Sequence, residues 1–229
     1  MSQRPLKVLS SMAAREVLAE LIKGFSAASG QPVAAEAAGG VEVAKRIQAG
    51  ENVDVAVLSD AAIDKLIGAA QLRTGRVDLV KSGVAIAVRS GTGRPDVGSE
   101  AAVKAAVLGA PSLSYSTGPS GVYLEKLFAR WGILDAIRSR IVVPPPGVPV
   151  ASLLAAGQAQ LGFQQLSELL NVAGIEVLGP LPAAIQTITT FSAGISVHCE
   201  QPQVAMQLLN YMRLPAATRV VQRYGMEPA

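Results

Sequence analysis

Val53-Asp54-Val55-Ala56-Val57-Leu58 is apolar at every position but one. A continuous apolar run of this kind reads as a strand covered on both faces, as in a parallel sheet. Helices are expected on either side of it. Val41 to about Gln48 leads into the run with Gly50 as a stop, and Ser59 or Asp60 then caps a helix through Ala61 to Ala69. Further toward the N-terminus, Val33 to Ala37 reads as a strand ending in Gly39-Gly40. Leu6 to Leu9 is a short apolar run followed by Ser10-Ser11 and a helical pattern to about Ala28, where Val17, Leu18, Leu21, Ile22 and Phe25 fall at helical spacing. Three strand–helix units in succession predict a parallel sheet with right-handed crossovers.

The register changes after this. Val77 to Val88 reads as extended structure, followed by a loop from Ser90 to Pro95, a helix over Glu100 to Leu108 and a strand at Leu113 to Tyr115. Ser116-Thr117-Gly118-Pro119-Ser120-Gly121 opens a helix from Val122 to Trp131, whose stripe of Leu124, Leu127, Phe128 and Trp131 is core. Pro144-Pro145-Pro146-Gly147 predicts a stiff extended loop. Then come a helix over Val150 to Ala156, a strand at Leu161 to Gln164, a short helix from Leu166 to Leu170 and a strand at Ile175 to Leu178. Ile185 to Val197 reads as one long β run, and Pro202 to Arg213 and Ala216 to Tyr224 read as helices broken at Pro215. No stretch has the composition of a disordered linker. Two lobes would therefore be joined by ordered crossing strands, Lys81 to Arg89 going out and Thr187 to Val197 returning. Residues 1–82 and 195–229 form the expected first lobe and 83–194 the second, each an α/β lobe with a mixed, mostly parallel sheet.

With 229 residues, half of them hydrophobic and only 16% charged, the chain has material for a large core. Aromatics amount to 4%; small side chains suit close packing of helices on sheet. The net charge of +3 is spread without a basic stripe or stacking aromatics, which argues against a nucleic-acid partner. Cys199 and His198 are the only cysteine and histidine. An intrachain disulfide and a thiolate metal cluster are excluded, and no metal or other cofactor is expected. No apolar run reaches the ~18 residues of a membrane span. The first residues lack an apolar signal core with a cleavage site. The expected location is periplasmic if a signal has been removed and cytoplasmic otherwise.

Ligands of open parallel sheets bind beyond the carboxyl ends of strands, where helix N-termini point at them. Four segments answer that description. Ser10-Ser11 follows the first strand, although Ser11 is equally suited to capping the next helix. Gly39-Gly40 bares the backbone before the second helix. Ser116, Thr117, Gly118, Ser120 and Gly121 combine hydroxyls, permissive backbone and a helix start. Gln164-Gln165 closes another strand, or caps the short helix after it. No Gly-x-x-x-x-Gly-Lys-Ser/Thr loop and no dinucleotide fingerprint is present, which argues against nucleotide use.

The chain resembles the molybdate-binding-protein-like solute-binding proteins of ABC transporters. The resemblance is carried by Lys7-Val8-Leu9-Ser10-Ser11, the stretch from Ala44 to Val55, the strand Val84-Ala85-Ile86-Ala87-Val88 and the turn Ser116 to Gly121. It implies a two-lobed type II periplasmic-binding-protein fold that closes like a Venus flytrap around an oxyanion, with hydroxyl and backbone N–H donors and no metal ligands. Val148 joins the expected ligand-binding set. An ABC transporter permease is the candidate protein partner, and a monomer without membrane insertion is expected. Two departures stand out: molybdate binders usually offer a serine where Gly39 stands, and a tyrosine in the segment Phe163-Gln164-Gln165. An organic carboxylate therefore joins the expected ligands.

Two functions follow. The first is binding, without catalysis, of a small oxyanion or organic di- or tricarboxylate for transport or sensing. The alternative is an isomerase, because the chain is also similar to aconitate isomerase-like proteins of the same fold. Such a reaction shifts a double bond by proton abstraction beside a carboxylate and needs a base. Glu36, Glu42 and Glu168 lie near the expected cleft, with Arg46 and Lys81 as possible carboxylate partners, but no motif-grade catalytic dyad is present.

Overall fold

A computed structural model describes residues 4–145 and 147–229 of the chain. The chain forms two compact units, Met1–Ser82 with Thr190–Ala229, and Gly83–Thr189. In chain order the first stretch comprises β1 (Leu6–Ser11), α1 (Arg15–Ser29), β2 (Val33–Ala38), α2 (Gly40–Gln48), β3 (Val55–Ser59) and α3 (Asp60–Gly68). Strand β4 (Val77–Arg89) leads into α4 (Glu100–Gly109), β5 (Leu113–Tyr115), α5 (Pro119–Arg130), α6 (Leu134–Ile137), α7 (Val150–Ala155), β6 (Leu161–Gln165), α8 (Leu166–Leu169) and β7 (Ile175–Pro180). Strand β8 (Ile188–Ile195) is followed by α9 (Pro202–Met212), α10 (Thr218–Arg223) and β9 (Glu227–Pro228).

In the first unit β1 pairs in parallel with both β2 and β3, as the strand–helix succession predicts, while β8 runs antiparallel to β3. Alternation along the strands divides the core. Leu6, Val8, Val55, Val57 and Phe191 face α1 and α9, whereas Leu9, Ala56 and Leu58 face Val43 and Ile47 of α2 and Ile63 and Leu66 of α3. Helices thus cover both faces. Asp54, the one charge in the deciding apolar run, lies just before β3 and is fully buried. Its carboxylate accepts the Lys7 N–H at 2.9 Å and the Arg4 guanidinium at 3.3 Å, which supplies the pairing that a buried charge requires.

In the second unit β5 and β6 are parallel, and β4 is antiparallel to β6 and β7. The alternating sizes in Val84-Ala85-Ile86-Ala87-Val88 set the layer spacing. The large residues meet α4 and α5, while Ala85 and Ala87 meet Val150, Ala151 and Leu154 of α7. At Gly162 a methyl group would stand 2.6 Å from Leu154 and 2.8 Å from Val150, so α7 sits directly on the strand because there is no side chain there.

Two expectations change, and a third falls partly outside the described residues. Helix α5 starts at Pro119 rather than Val122, with proline at its first position, where a missing N–H costs nothing. The expected β run from Ile185 starts only at Ile188, because Ala183–Ile185 is a 3-10 turn. Beside it the Gln186 amide takes the place of a strand: its Oε1 accepts Val84 N–H at 2.9 Å and its Nε2 donates to Val84 O at 3.0 Å. In the loop Pro144-Pro145-Pro146-Gly147, Pro146 lies outside the described residues.

Strands β4 and β8 are also tied within the first unit by a side-chain pair. Asp78 accepts from Ser192 Oγ at 2.7 Å and from Arg76 Nε at 2.8 Å. The Ser192 hydroxyl and then the Arg76 guanidinium hold this carboxyl below the ordinary aspartate range against the effect of burial. A lowered folded pKa means that stability is present in full above the unfolded value of about 4 and is lost as pH falls through the folded value. Melting temperatures of wild type and Asp78→Asn should therefore differ most near neutrality and converge as pH falls below about 4. A gap that stays constant with pH would remove the carboxylate from the account.

Candidate functional site

The candidate ligand-binding residues of the first unit gather where β1 and β2 end. Ser10 and Ser11 are both buried, and in the parallel register Ser10 lies opposite Ala37 and Ser11 opposite Ala38. The chain then turns through Gly39 into α2, so Gly39-Gly40 is brought beside Ser11. A methyl at Gly40 would stand 3.8 Å from the Ser11 Cβ. Ser11 occupies the cap position of a short 3-10 turn, Met12–Ala14, but its side chain makes no capping bond. Its Oγ is buried without a partner among the described residues. The capping role that the sequence allowed is therefore not the one the hydroxyl performs. Gly39 has ordinary negative φ of −57° and nothing within 4 Å of the place a Cβ would take. Neither strain nor crowding calls for glycine here; what its absence of a side chain provides is open access to the first-turn N–H groups of α2, which have no intrahelical acceptor.

The second unit holds the other set. Ser116 follows β5, and its Oγ lies 2.8 Å from Ser120 Oγ in the first turn of α5. Gly118 is the cap residue with no side-chain bond, Thr117 is exposed, and Ser120 and Gly121 are buried. At Gly121 an added methyl would lie 1.6 Å from the Ser116 carbonyl oxygen, so the strand-to-helix turn is folded directly onto the helix. Just before it, burial and the neighbouring Glu125 carboxylate push the Tyr115 phenol up to about 12. The parallel pairing Tyr115 with Phe163 puts Gln164-Gln165 at the same edge of the sheet as Ser116.

The two glutamines are both buried but used differently. Gln164 Oε1 accepts the Ala151 N–H at the start of α7 at 3.4 Å, and its Nε2 donates to Glu168 Oε1 at 2.8 Å. Gln165 Nε2 donates to Thr189 Oγ1 at 2.9 Å, while its Oε1 has no partner among the described residues. Val148 is half-buried and its N–H closes a turn onto Pro145 O at 3.0 Å before α7. Sequence reasoning missed Thr189. It also missed Ser82, whose buried Oγ is a further oxygen without a partner among the described residues; a serine inside the apolar run of β4 was the only signal.

Of the acids considered as a base, Glu36 is exposed on β2 and pairs with Arg46 at 2.5 Å; the guanidinium lowers its pKa, the wrong direction for proton abstraction. Arg46 also binds Glu51 through two bonds of 2.6 Å, so it is tied to protein carboxylates and not held ready for a ligand. Glu42 is exposed in the first turn of α2, and Lys81 is half-buried on β4. Glu168 is half-buried and fixed by Gln164. Among the described residues, no three His, Cys, Asp or Glu side chains are grouped to hold a metal ion.

Residues 6–227 match the family model of the bacterial extracellular solute-binding proteins. An aconitate isomerase of a Pseudomonas species is 34% identical over 232 residues, covering 97% of this chain and 87% of that protein. The molybdate-binding protein ModA of Azotobacter vinelandii is 29% identical over 115 residues, 48% of this chain and 44% of that one. The solved structure of the Azotobacter vinelandii periplasmic molybdate-binding protein superposes with a TM-score of 0.80 at 21% identity, covering 96% of this chain and 98% of that chain. At that identity the likeness speaks for the fold, which is the type II periplasmic-binding-protein fold that the sequence resemblance implies.

Proposed function

We propose, for a chain that belongs to the bacterial extracellular solute-binding proteins, that it binds a small anion, an oxyanion or an organic di- or tricarboxylate. The donors are the hydroxyls and backbone N–H groups of Ser10-Ser11, Gly39-Gly40 and Ser116 to Gly121. The observation that carries this reading is the Ser11 hydroxyl, buried and unpartnered at a strand end beside a glycine turn that packing does not require. Neutral donors at helix N-termini suit an anion because each bond to the charge recovers part of the hydration it gives up. Among the described residues no helix is long and apolar enough to cross a membrane. A site of action outside the cytoplasmic membrane, with an ABC transporter permease as receiving partner, fits the family.

The test is a melting-temperature screen with molybdate, tungstate, sulfate and di- and tricarboxylates, since a ligand at 100 times its Kd stabilises by about 2.7 kcal/mol. For the best ligand, Ser11→Ala and Ser116→Ala are each expected to cost about 1.5–3 kcal/mol of binding, roughly a 10- to 150-fold weaker Kd. Wild-type affinity in both variants would discard the site.

A second reading is favoured by the relative named aconitate isomerase, which aligns along nearly the whole chain. On this reading a proton leaves the carbon beside a carboxylate, the double bond shifts, and the proton is returned at another carbon. Glu42 and Glu168 are the candidate bases, with Gln164 donating to Glu168, whereas Arg46 lowers the pKa of Glu36. Conversion of cis- to trans-aconitate by wild type, and its loss in Glu168→Gln with ligand binding retained, would establish turnover. Binding without any product would leave the first reading alone.

A further inference from the structure

Gln165 is 3% exposed and stands at the C-terminal end of β6 in the second unit. Its NH2 group is committed to Thr189 Oγ1 at 2.9 Å, and its carbonyl oxygen has no donor among the described residues. Thr189, itself 8% exposed, lies on β8 within the same unit. A buried carbonyl in this condition has given up water without gaining a proton, and a ligand that brings a donor restores the loss. A fully deprotonated oxyanion brings only acceptors, so its oxygens are repelled by the carbonyl. A polycarboxylic acid with one O–H, whether a hydroxyl or a protonated carboxyl, offers the missing donor and still has carboxylate oxygens for the serine and backbone donors.

We propose that Thr189 is a positioning residue that turns the Gln165 carbonyl toward the ligand, and that the site thereby selects polycarboxylic acids bearing an O–H over fully deprotonated oxyanions. This rests on the anion-binding reading above. Thr189 acts through the amide that donates to it. The opposite orientation, with the threonine hydroxyl donating to Oε1, would present the NH2 group and favour the deprotonated ligand, so ligand preference reports the orientation directly.

Citrate and tricarballylate share three carboxylates and differ by one hydroxyl, which makes them the probes. Titration calorimetry of the intact chain near pH 7.5 is expected to give citrate about tenfold tighter binding than tricarballylate. The ratio should shrink toward about pH 5, where tricarballylate gains a carboxyl proton of its own. Thr189→Ser should keep the preference, and the isosteric Thr189→Val should bring the two affinities together. A purely structural role for Thr189 would weaken both ligands alike and keep their ratio, which would overturn the proposal. Equal wild-type affinity for the two acids, or tighter binding of molybdate than of either, would also overturn it while leaving the anion-binding reading in place. If citrate, tricarballylate, molybdate and sulfate all fail to bind, the anion-binding reading fails and takes this inference with it.

Discussion

Gly121→Ala is expected to abolish ligand binding and to destabilise the protein by about 3 kcal/mol or more, at or beyond the upper end of ordinary overpacking. The added methyl would lie 1.6 Å from the Ser116 carbonyl oxygen, 2.8 Å from its carbon and 3.3 Å from the Tyr115 ring. The first two are backbone atoms, so no rotamer change relieves them. Either the turn after β5 must open, separating Ser116 Oγ from Ser120 Oγ, or the first turn of α5 must unwind and pull Val122 N–H from Gly118 O. Both routes dismantle the donor set. For a chain of this size each kcal/mol moves the melting temperature by about 2–4 °C, so a drop of roughly 6–12 °C is expected. Gly39→Ala is the control: with nothing within 4 Å of the new methyl, stability should stay within about 0.5 kcal/mol. A Gly121→Ala protein that melts and binds like wild type would mean that the tight turn is not what shapes the site.

The reason Gly121 was legible in the sequence, but its severity was not, is general for this chain. A Ser/Thr/Gly run between a strand and a helix announces a turn with donors, yet only the fold shows that Ser116 O lies against the helix. Buried strands were easy to read because their apolar runs are long: β1, β3 and β5 lie where the hydrophobicity puts them, and β5 matches residue for residue. Some of the shortest elements left no trace, although α8, also four residues long, left one. Helix α6 has four residues and β9 two, too few to show a period. The false start of β8 at Ile185 has a tertiary cause, since the Gln186 amide fills the hydrogen-bonding place of a strand with a side chain.

The site shows the same limit at higher resolution. Ser11 as cap and Ser11 as free hydroxyl have one sequence; the missing capping bond decides between them. Gln164 and Gln165 are neighbours with the same chemistry, but adjacent residues of a strand point to opposite faces. One therefore meets the start of α7 and Glu168, and the other meets Thr189. Nothing local tells which face carries which layer. Glu36 and Arg46 likewise look like separate functional candidates until the turn from β2 to α2 folds one against the other.

Phe128→Ala is expected to be the most destabilising single truncation in the second unit, by about 3–5 kcal/mol. The ring is fully buried, with its centroid 5.9 Å from Tyr115, 5.8 Å from Trp131 and 6.0 Å from Phe163. Edge-to-face geometry with Tyr115 and Phe163 adds to the area it buries. At about 2–4 °C per kcal/mol, the melting temperature should fall by roughly 6–20 °C. The effect reaches function because Tyr115 immediately precedes Ser116, and Phe163 immediately precedes the glutamine pair. Phe128 thus backs, from within the core, both segments proposed to hold the ligand. Phe128→Leu, which keeps most of the volume, should lose less stability and retain affinity, whereas Phe128→Ala should lose both. If calorimetry finds Phe128→Ala as tight a binder as wild type despite its lower melting temperature, the donors of β5 and β6 are held by their hydrogen bonds alone, and the aromatic cluster serves stability only.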